Sequence, residues 1–229
     1  MKNAKWWLPI LLMVLITPFT ADWDLALSRY FYNQAENPFA SNKIYEFLYH
    51  YGILPADLIT AFGVVAFVLS FFIVAWKKWR YIALMLAATM LVGGWIIVHE
   101  ILKDHWGRPR PRQVTEFGGS QIFRSYYQPN LDPKREPSKS FACGHASMGF
   151  YFFAIAMLGT IYQSRLLYWL GWGSAFGLGS LLSIARIAQG GHFLSDTIAS
   201  ALIMWLTAWI LAYFLFVFPK QCDLRRIEG

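Results

Sequence analysis

Apolar residues along the chain gather into six stretches, each bounded by charged or turn-forming residues. The stretches are residues 6–19, 55–76, 81–101, 146–162, 166–185 and 197–218. A helix needs about 20 residues to cross a hydrocarbon core of roughly 30 Å, and it pairs its own backbone polar groups there. The pattern therefore predicts an all-α, polytopic integral membrane protein built as a bundle of six transmembrane helices.

The first stretch is the shortest and has two interpretations. Lysines precede it and small residues follow it, as in a secretory signal peptide whose removal would leave five helices. Trp6, Trp7 and Pro9 fit the apolar part of a signal peptide poorly, so we favour a retained membrane anchor. Residues 22–52 are then expected to form an extramembrane loop with an amphipathic helix around residues 25–32.

Glycines in the fifth stretch indicate how this helix packs. Gly173 and Gly177 are four residues apart and lie on one helical face. Small residues at this spacing let two helices approach closely. We therefore expect residues 166–185 to form an interior helix that contacts its neighbours through these two glycines.

The composition excludes most soluble classes of protein. Of the 229 residues, 57% are hydrophobic and 14% are charged, and the formal net charge is +7. On so apolar a chain, a basic balance favours lipid headgroups or a phosphate substrate, and no nucleic-acid partner is expected. Cys143 and Cys222 are the two cysteines, too few for a disulfide framework or a cysteine-rich zinc site. We expect a single membrane-embedded domain over residues 1–229.

Positive charges in the short loops orient the predicted bundle. With six spans, both termini and the loops after the second and fourth helices share one face. The basic residues beside helix ends on that face are Lys2, Lys5, Lys77, Lys78, Arg80, Arg165, Lys220, Arg225 and Arg226. They predict that this face is cytoplasmic. The opposite face carries more positive charge, mainly in residues 103–139, so the inverted orientation is the alternative if those cations do not bind substrate.

Three polar clusters interrupt the apolar pattern, at residues 103–111, 142–145 and 186–196. A single cluster at a membrane boundary is usually a set of surface charges. Here the parity of the helices places all three clusters on the face opposite the termini. We therefore expect one shared site, with residues 103–145 as the active-site loop.

The clusters contain the groups that phosphoryl transfer from a monoester requires. Lys103, Arg110 and Arg186 supply positive charge for the oxygens of the phosphoryl group. A planar guanidinium group binds two phosphate oxygens at once. Gly144 lets a backbone N–H approach the anion closely.

His192 and Asp196 are candidates for the nucleophile and its partner, because residues four apart on a helical turn face each other. A carboxylate bonded to one imidazole nitrogen fixes the tautomer and leaves the other nitrogen nucleophilic. His145 is then the candidate general acid. Glu100, three residues before Lys103, is expected to position this lysine through a helical ion pair.

The spacing of these residues resembles that of a known family. The motif residues are Lys103-x6-Arg110-Pro111, Gly144-His145 and Arg186-x5-His192-x3-Asp196. In order and spacing they are similar to the three signature motifs of the type 2 phosphatidic acid phosphatase (PAP2) superfamily. The resemblance covers the chain from about the third stretch to the sixth. The segments KDHWGRPRP, CGHASMGF and QGGHFLSD further resemble the bacterial lipid A 4'-phosphatase branch.

The resemblance implies a six-helix bundle of the PAP2 type and a phosphohistidine mechanism without a metal ion or other cofactor. It implies His192 as nucleophile, Asp196 as its partner and His145 as acid. The phosphate ligands that it implies are Lys103, Arg110 and Arg186. The implied partner is a phosphorylated membrane lipid. The positive charges beside the short loops and the parity of the helices predict that His145 and His192 lie at the periplasmic face of a bacterial inner membrane.

Two residues near the motifs need separate treatment. Cys143 stands where the family usually has the serine of Pro-Ser-Gly-His, and a thiol is the weaker donor, so its backbone N–H is the remaining phosphate contact. A cysteine phosphatase would by family pattern have an arginine six residues later, where this chain has Gly149, so Cys143 is interpreted as a small filler. Arg108 belongs to a second Arg-Pro pair and is the alternative to Arg110 as phosphate ligand.

The 4'-phosphate of lipid A is the substrate that the resemblance favours. The residues alone do not separate it from undecaprenyl diphosphate, phosphatidylglycerol phosphate or phosphatidic acid, nor hydrolysis from transfer to another lipid.

A two-metal phosphatase is disfavoured, because the sequence has no His-x-x-x-His, Glu-x-x-His or acidic cluster. The non-enzyme alternative is an anion or lipid transporter, but the polar residues gather at one membrane face rather than along a path.

Overall fold

The computed structural model describes residues 7–33, 37–39, 42–130 and 138–219. The α-helices in this part of the chain are α1 (Leu8–Ile16), α2 (Thr20–Phe31), α3 (Lys43–Tyr51), α4 (Leu54–Phe72), α5 (Arg80–Ala88), α6 (Gly144–Phe150), α7 (Phe153–Ile161), α8 (Arg165–Ala188) and α9 (Leu194–Ala212). The shorter elements are 3₁₀ turns at Thr17–Phe19, Val74–Trp79, Pro111–Gln113 and Thr115–Phe117, π-helical segments at Thr89–Lys103 and Tyr213–Val217, and the antiparallel strands β1 (Tyr32–Asn33) and β2 (Asn37–Phe39). The sequence features at Lys2, Lys5, Trp6, Lys220, Cys222, Arg225 and Arg226 lie outside the described residues.

Consecutive helices join into membrane-length units. Five units among the described residues are long and apolar enough to cross a membrane. They are Leu8–Phe31, Lys43–Phe72, Val74–Lys103, Gly144–Ile161 and Leu194–Val217. The prediction of an all-α membrane protein is confirmed, and these units coincide with five of the six apolar stretches.

The remaining stretch, residues 166–185, forms α8. This helix is 24 residues long, enough to cross a bilayer, but it is not among the five apolar units. Glycine, serine, tryptophan and tyrosine are frequent in it and lower its hydropathy. The sixth span is therefore not confirmed by length and composition.

Helical structure continues beyond the first stretch, where the sequence predicts a loop. A 3₁₀ turn joins α1 to α2, so the first unit runs on to Phe31, and α3 lies before α4. The expectation for residues 22–52 is therefore wrong for α3 and for the start of α2, which begins at Thr20. The helix expected around residues 25–32 is present as the second half of α2. Its buried face is polar rather than apolar, because Asp24 and Ser28 are buried where α2 packs on α8 and α9.

α8 packs closely along α6 and α7 through small residues. A methyl group placed on Gly149 of α6 would lie 2.5 Å from the backbone nitrogen of Gly179, closer than any atom tolerates. Gly171 makes an equally close approach to α7. By contrast, nothing lies within 4 Å of a methyl group placed on Gly173 or Gly177. The prediction for this pair is wrong, because the contact face of α8 is the one that carries Gly171 and Gly179.

Candidate active site

The three polar clusters meet at one end of the bundle. Two backbone hydrogen bonds tie the loop before α6 to the start of the last long helix: Arg112 N donates to Gly190 O (3.2 Å) between α8 and α9, and Cys143 N donates to Asp196 O (3.4 Å) in the first turn of α9. A third link joins the side chain of His192 to the same loop. The fold therefore brings together segments that are more than forty residues apart in sequence.

Two glycines shape the loops that carry these groups. Gly107 and Gly190 adopt positive φ angles of 65° and 60°. A side chain on Gly107 would collide with the backbone of Asn130, and one on Gly190 with the ring of Phe39. Only glycine combines this backbone conformation with so close an approach. The turn at Gly190 ends α8 sharply and returns the chain toward the bundle two residues before His192.

Lys103, Arg110 and Arg186 surround one region of the site, where their charges act on one another. Lys103 ends the π-helical segment, and its Nζ lies 3.9 Å from the point where a methyl group on Gly144 would sit. The guanidinium group of Arg186 lies against the backbone of Gly191, where a side chain would displace it. The three cations and the Gly144 backbone therefore lie together, as the sequence predicts.

Two of these cations have an N–H group without a hydrogen-bond acceptor among the described residues. The Nε atoms of Arg110 and Arg186 are buried and have no hydrogen-bond partner among the described residues. Burial, followed by the charges of Arg112 and Arg186, lowers the pKa of Arg110. Buried donors and mutually repelling charges are both stabilised when an anion binds between them.

The imidazole of His192 is held by the loop rather than directly by Asp196. Its Nδ1 lies 2.6 Å from the carbonyl oxygen of Ser140 and 3.7 Å from Asp196 Oδ2. A carbonyl oxygen only accepts, so Nδ1 carries the proton and donates it to Ser140 O. Nε2 then holds the lone pair. The expectation that Asp196 fixes the tautomer directly is therefore modified, because the shorter bond is to Ser140, which the sequence analysis missed.

Asp196 acts on His192 through its surroundings. Its Oδ2 accepts hydrogen bonds from the hydroxyl group of Ser140 (2.6 Å) and from the backbone N–H of Phe193 (2.8 Å). Ser140 also accepts the His192 Nδ1 proton through its carbonyl oxygen, and Phe193 follows His192 directly in the chain, so both bonds fix the surroundings of the imidazole. Burial disfavours the imidazolium ion, but Cys143 and Asp196 together raise the pKa of His192 above its ordinary value.

Arg108 is fully buried behind Asp196 and has no nitrogen left for a phosphate. Its Nε donates to the carbonyl oxygen of Arg124 (2.8 Å), one terminal nitrogen to Ser195 Oγ (2.8 Å) and Asp196, and the other to Asp24 Oδ2 (2.7 Å). Of the two arginines that the sequence left open, Arg110 is therefore the one whose Nε has no hydrogen-bond partner among the described residues.

Residues 78–220 match the PAP2 superfamily, and all of the motif residues lie within this range. The chain belongs to the PAP2 superfamily. The lipid A 4'-phosphatase of Francisella tularensis subsp. novicida (strain U112) is 31% identical over 192 residues, 82% of this chain and 84% of that protein. No solved structure matches this chain.

Two further relatives match over shorter regions. The lipid A 4'-phosphatase of Rhizobium leguminosarum is 28% identical over 54% of this chain and 48% of its own length. The lipid A 4'-phosphatase of Rhizobium etli is 29% identical over 53% of this chain and 44% of its own length. The chain thus spans about half the length of the two Rhizobium proteins.

Cys143, the departure from the usual PAP2 motif, caps α6. Its Sγ accepts a hydrogen bond from the backbone N–H of Ala146 at 3.4 Å, and its side chain is fully buried. Its own N–H is directed at the carbonyl oxygen of Asp196, so the donor that the sequence analysis reserves for phosphate is already engaged. Burial disfavours the thiolate, but the charge and hydrogen bond of His192 outweigh it and lower the pKa of the Cys143 thiol.

Tyr49 of α3 is part of the site although it lies outside the PAP2 match and the sequence analysis missed it. Its ring stacks on His145 with a centroid distance of 4.5 Å and an interplanar angle of 16°. The guanidinium carbon of Arg186 lies 4.8 Å from the centroid of the same ring. Tyr49 therefore contacts both the candidate acid and a candidate phosphate ligand.

Lys103 has a different neighbour from the one that the sequence predicts. Its Nζ lies 3.3 Å from His99 Nε2, one turn earlier. Glu100 instead accepts a hydrogen bond from the indole of Trp95 at 2.9 Å. The expected ion pair between Glu100 and Lys103 is therefore wrong, because the π-helical winding of this segment changes which side chains face each other.

A cavity of about 390 Å³ lies beside these groups. Lys103, Gly144 and His145 form one side, and the other lining residues are Ile53, Met90, Gly94, Trp95, His99, Ser147 and Met148. Its lining is thus mostly apolar next to a cationic end, as an amphiphile requires. No three His, Cys, Asp or Glu side chains come together as a candidate metal site in the described part of the chain.

Proposed function

We propose that this PAP2 protein is a membrane lipid phosphatase that removes the 4'-phosphate of lipid A through a phosphohistidine on His192. The observation that carries the proposal is the bond from His192 Nδ1 to Ser140 O, which leaves Nε2 as the nucleophilic nitrogen in the same site as three cations. An anchored imidazole with one defined lone pair is the arrangement that nucleophilic catalysis needs.

The proposed reaction has two steps. Lys103, Arg110 and Arg186 hold the phosphate oxygens, assisted by the backbone of Gly144. The lone pair of His192 Nε2 forms a bond to phosphorus while the bond to the sugar oxygen breaks.

The leaving sugar oxygen takes a proton from His145, which becomes the base for the second step. Water then gives its proton to His145 and attacks the phosphorus. The bond from Nε2 to phosphorus breaks, so inorganic phosphate leaves and both histidines return to their starting states.

The shape of the site supports a lipid substrate. The apolar cavity beside Lys103 and His145 suits the lipid portion, while the phosphate meets the cations. Relatives named as lipid A 4'-phosphatases support the choice of lipid A. Undecaprenyl diphosphate, phosphatidylglycerol phosphate and phosphatidic acid remain as alternatives for the assay to distinguish, together with transfer of the phosphoryl group to a lipid acceptor.

We further propose that α8 is a sixth span and that the site faces the periplasm from the bacterial inner membrane. The basic residues Lys77, Lys78, Arg80 and Arg165 lie at the opposite ends of the helices from His192, which agrees with a cytoplasmic location for those ends. A reporter enzyme fused after Gly229 tests the orientation. Activity of a reporter that works only after export would contradict it.

The function is tested by phosphate release from lipid A with purified protein in detergent, and by mass spectrometry of lipids from cells with and without the protein. We expect loss of one phosphate from the distal glucosamine, no phosphate release by His192→Ala, and unchanged activity in EDTA. Altered pools of another phospholipid with unchanged lipid A would reject the substrate. Inactivation by EDTA with recovery on adding magnesium or zinc would reject the mechanism.

A further inference from the structure

A buried ionic network lies behind the catalytic groups, and its outermost member comes from α2. Asp24 is 1% exposed and bonds through Oδ2 to Arg108 (2.7 Å) and to the hydroxyl group of Ser195 (2.6 Å). Its Oδ1 accepts from the backbone N–H of Ser195 at 2.8 Å. Asp24 thus accepts hydrogen bonds both from Arg108 and from the first turn of α9, which carries Asp196.

The network connects Asp24 with the nucleophile in a continuous chain of contacts. Arg108 bridges the two carboxylates of Asp24 and Asp196, and Asp196 holds Ser140, whose carbonyl oxygen accepts the His192 Nδ1 proton. Every side chain in this chain is 2% exposed or less. Contacts of this kind transmit a displacement because none of the groups has solvent as an alternative partner.

The charges in the network are unequal. One guanidinium group serves two carboxylates, so with both carboxylates ionised the three side chains together carry a net negative charge next to His192. The cost of removing three charges from water offsets much of the free energy of their attraction, so stabilisation of the fold does not by itself explain this network. The alternative explanation for the network is a role in the active site, because contacts from Arg108 through Asp196 and Ser140 reach His192.

We propose that Asp24 is a positioning residue for the reaction, which acts through Arg108 and Asp196 to fix the orientation and protonation of His192. The inference rests on the proposed nucleophilic role of His192. It makes α2 a part of the catalytic unit, although Asp24 lies outside residues 78–220 that match the superfamily.

The structural consequence of losing Asp24 is defined. One terminal nitrogen of Arg108 would lose its acceptor, so the guanidinium group would be free to tilt and its bond to Asp196 would change. A misplacement of about 1 Å in a catalytic group lowers the rate by up to about 100-fold. The phosphate ligands do not contact Asp24, so binding of substrate should change little.

Loss of the negative charge has a second consequence, on the titration of His192. The titratable and charged groups that act on His192 directly are Cys143, Asp196 and His145, and those next in line are Arg108 behind Asp196, Arg186 beside Cys143 and Lys103 beside His145. Asp24 adds one negative charge to the Asp196 side of this set. Without it the imidazolium ion is less stabilised, and His192 loses its proton at lower pH.

The test compares Asp24→Asn with Asp22→Asn, which removes an exposed carboxylate from the same helix. Purified proteins are assayed in detergent with lipid A and with an activated aryl phosphate from pH 4 to pH 9. For Asp24→Asn we expect kcat to fall by about 10- to 100-fold with KM within about twofold. On the acid side of the pH profile, which we call the acidic limb, the midpoint of the fall in kcat/KM should shift to lower pH by about 0.5 to 1 unit. Asp22→Asn should match the wild type, and the ionisation of the substrate is common to all variants.

Several results would overturn the inference. Wild-type kcat and an unmoved acidic limb in folded Asp24→Asn would do so, as would a loss expressed in KM alone. If this variant does not yield monodisperse protein, Asp24→Glu decides, because it keeps the charge and moves the carboxylate by one methylene. A lowered kcat with an unmoved acidic limb in Asp24→Glu supports positioning, and wild-type kcat contradicts it. Inactive wild-type protein, or an active His192→Ala variant, would instead reject the proposed function.

Discussion

Removal of the Tyr49 ring is the most direct test of how the site is assembled. The ring contacts His145 at 4.5 Å and Arg186 at 4.8 Å, so Tyr49→Ala removes one stacked pair and one cation–π pair. A stacked pair contributes about 0.5 to 1.5 kcal/mol and an exposed cation–π pair about 0.5 to 1 kcal/mol. Tyr49 is 37% exposed, so the lower values for the cation–π pair apply. If both contacts order the catalytic groups, kcat/KM should fall by about 5- to 70-fold, which corresponds to about 1 to 2.5 kcal/mol.

The assay for this prediction is phosphate release by protein in detergent, with kcat and KM determined separately. Tyr49→Phe keeps the ring and should retain most of the activity. Tyr51→Ala removes a neighbouring ring of α3 that is 55% exposed, and it should have no effect. Equal losses in Tyr49→Phe and Tyr49→Ala would refute the stacking argument and point to the hydroxyl group. Equal activity of Tyr49→Ala and the wild type would show that His145 and Arg186 are held without the ring.

Three further predictions concern the acid, the thiol and the helix contact. His145→Ala should lower turnover of lipid A by about 100- to 10,000-fold but spare an activated aryl phosphate, whose leaving group needs no proton, and equal losses would argue against an acid. The proposed attack needs an unprotonated His192, so the raised pKa of this residue predicts loss of activity as the pH falls through a value above the pKa of free imidazole. Cys143→Ser should stay active and lose activity at a lower pH than the wild type, and severe inactivation would instead place the thiol in the reaction. Gly149→Ala should destabilise the protein by about 1 to 3 kcal/mol in thermal unfolding and Gly173→Ala should not, whereas equal effects would contradict the observed packing face.

The sequence predicts those parts of the structure that depend on local pattern. Apolar runs of membrane length identify five helical units, because the bilayer imposes one solution on such a run. The sequence also predicts a helix over residues 166–185, where α8 lies, but it does not predict which face of α8 contacts the other helices. Gly173 and Gly177 have the four-residue spacing of a packing motif, and so do Gly171, Ala175 and Gly179 of α8. Which of these faces is used depends on where α6 and α7 lie, and that information is absent from the spacing.

The site residues that the sequence analysis misses share one property. Asp24, Tyr49 and Ser140 are ordinary residue types outside the three motifs, and each reaches the site through a contact with a residue distant in sequence. Tyr49 and His145 are separated by 96 positions, and Asp24 and Arg108 by 84. An aspartate in a unit of membrane length was the available signal, but Asp22 carries the same signal and is exposed, so only the fold shows that Asp24 is the buried one. The fold also identifies Arg108 as the partner of Asp24.

The contrast between Arg108 and Arg110 shows how a structural arginine differs from the arginine that we propose as a phosphate ligand. Both belong to an Arg-Pro pair in one short segment, so neither residue type nor local pattern distinguishes them. Arg108 is fully buried, and two carboxylates of the protein itself balance its charge. Arg110 has a buried Nε without a partner among the described residues, and its nearest charged neighbours are also cations. A half-buried cation that the protein leaves unbalanced is stabilised when a ligand brings negative charge, and a phosphate monoester brings up to two negative charges. Substitution of Arg108 should therefore impair folding or kcat, whereas substitution of Arg110 should raise KM.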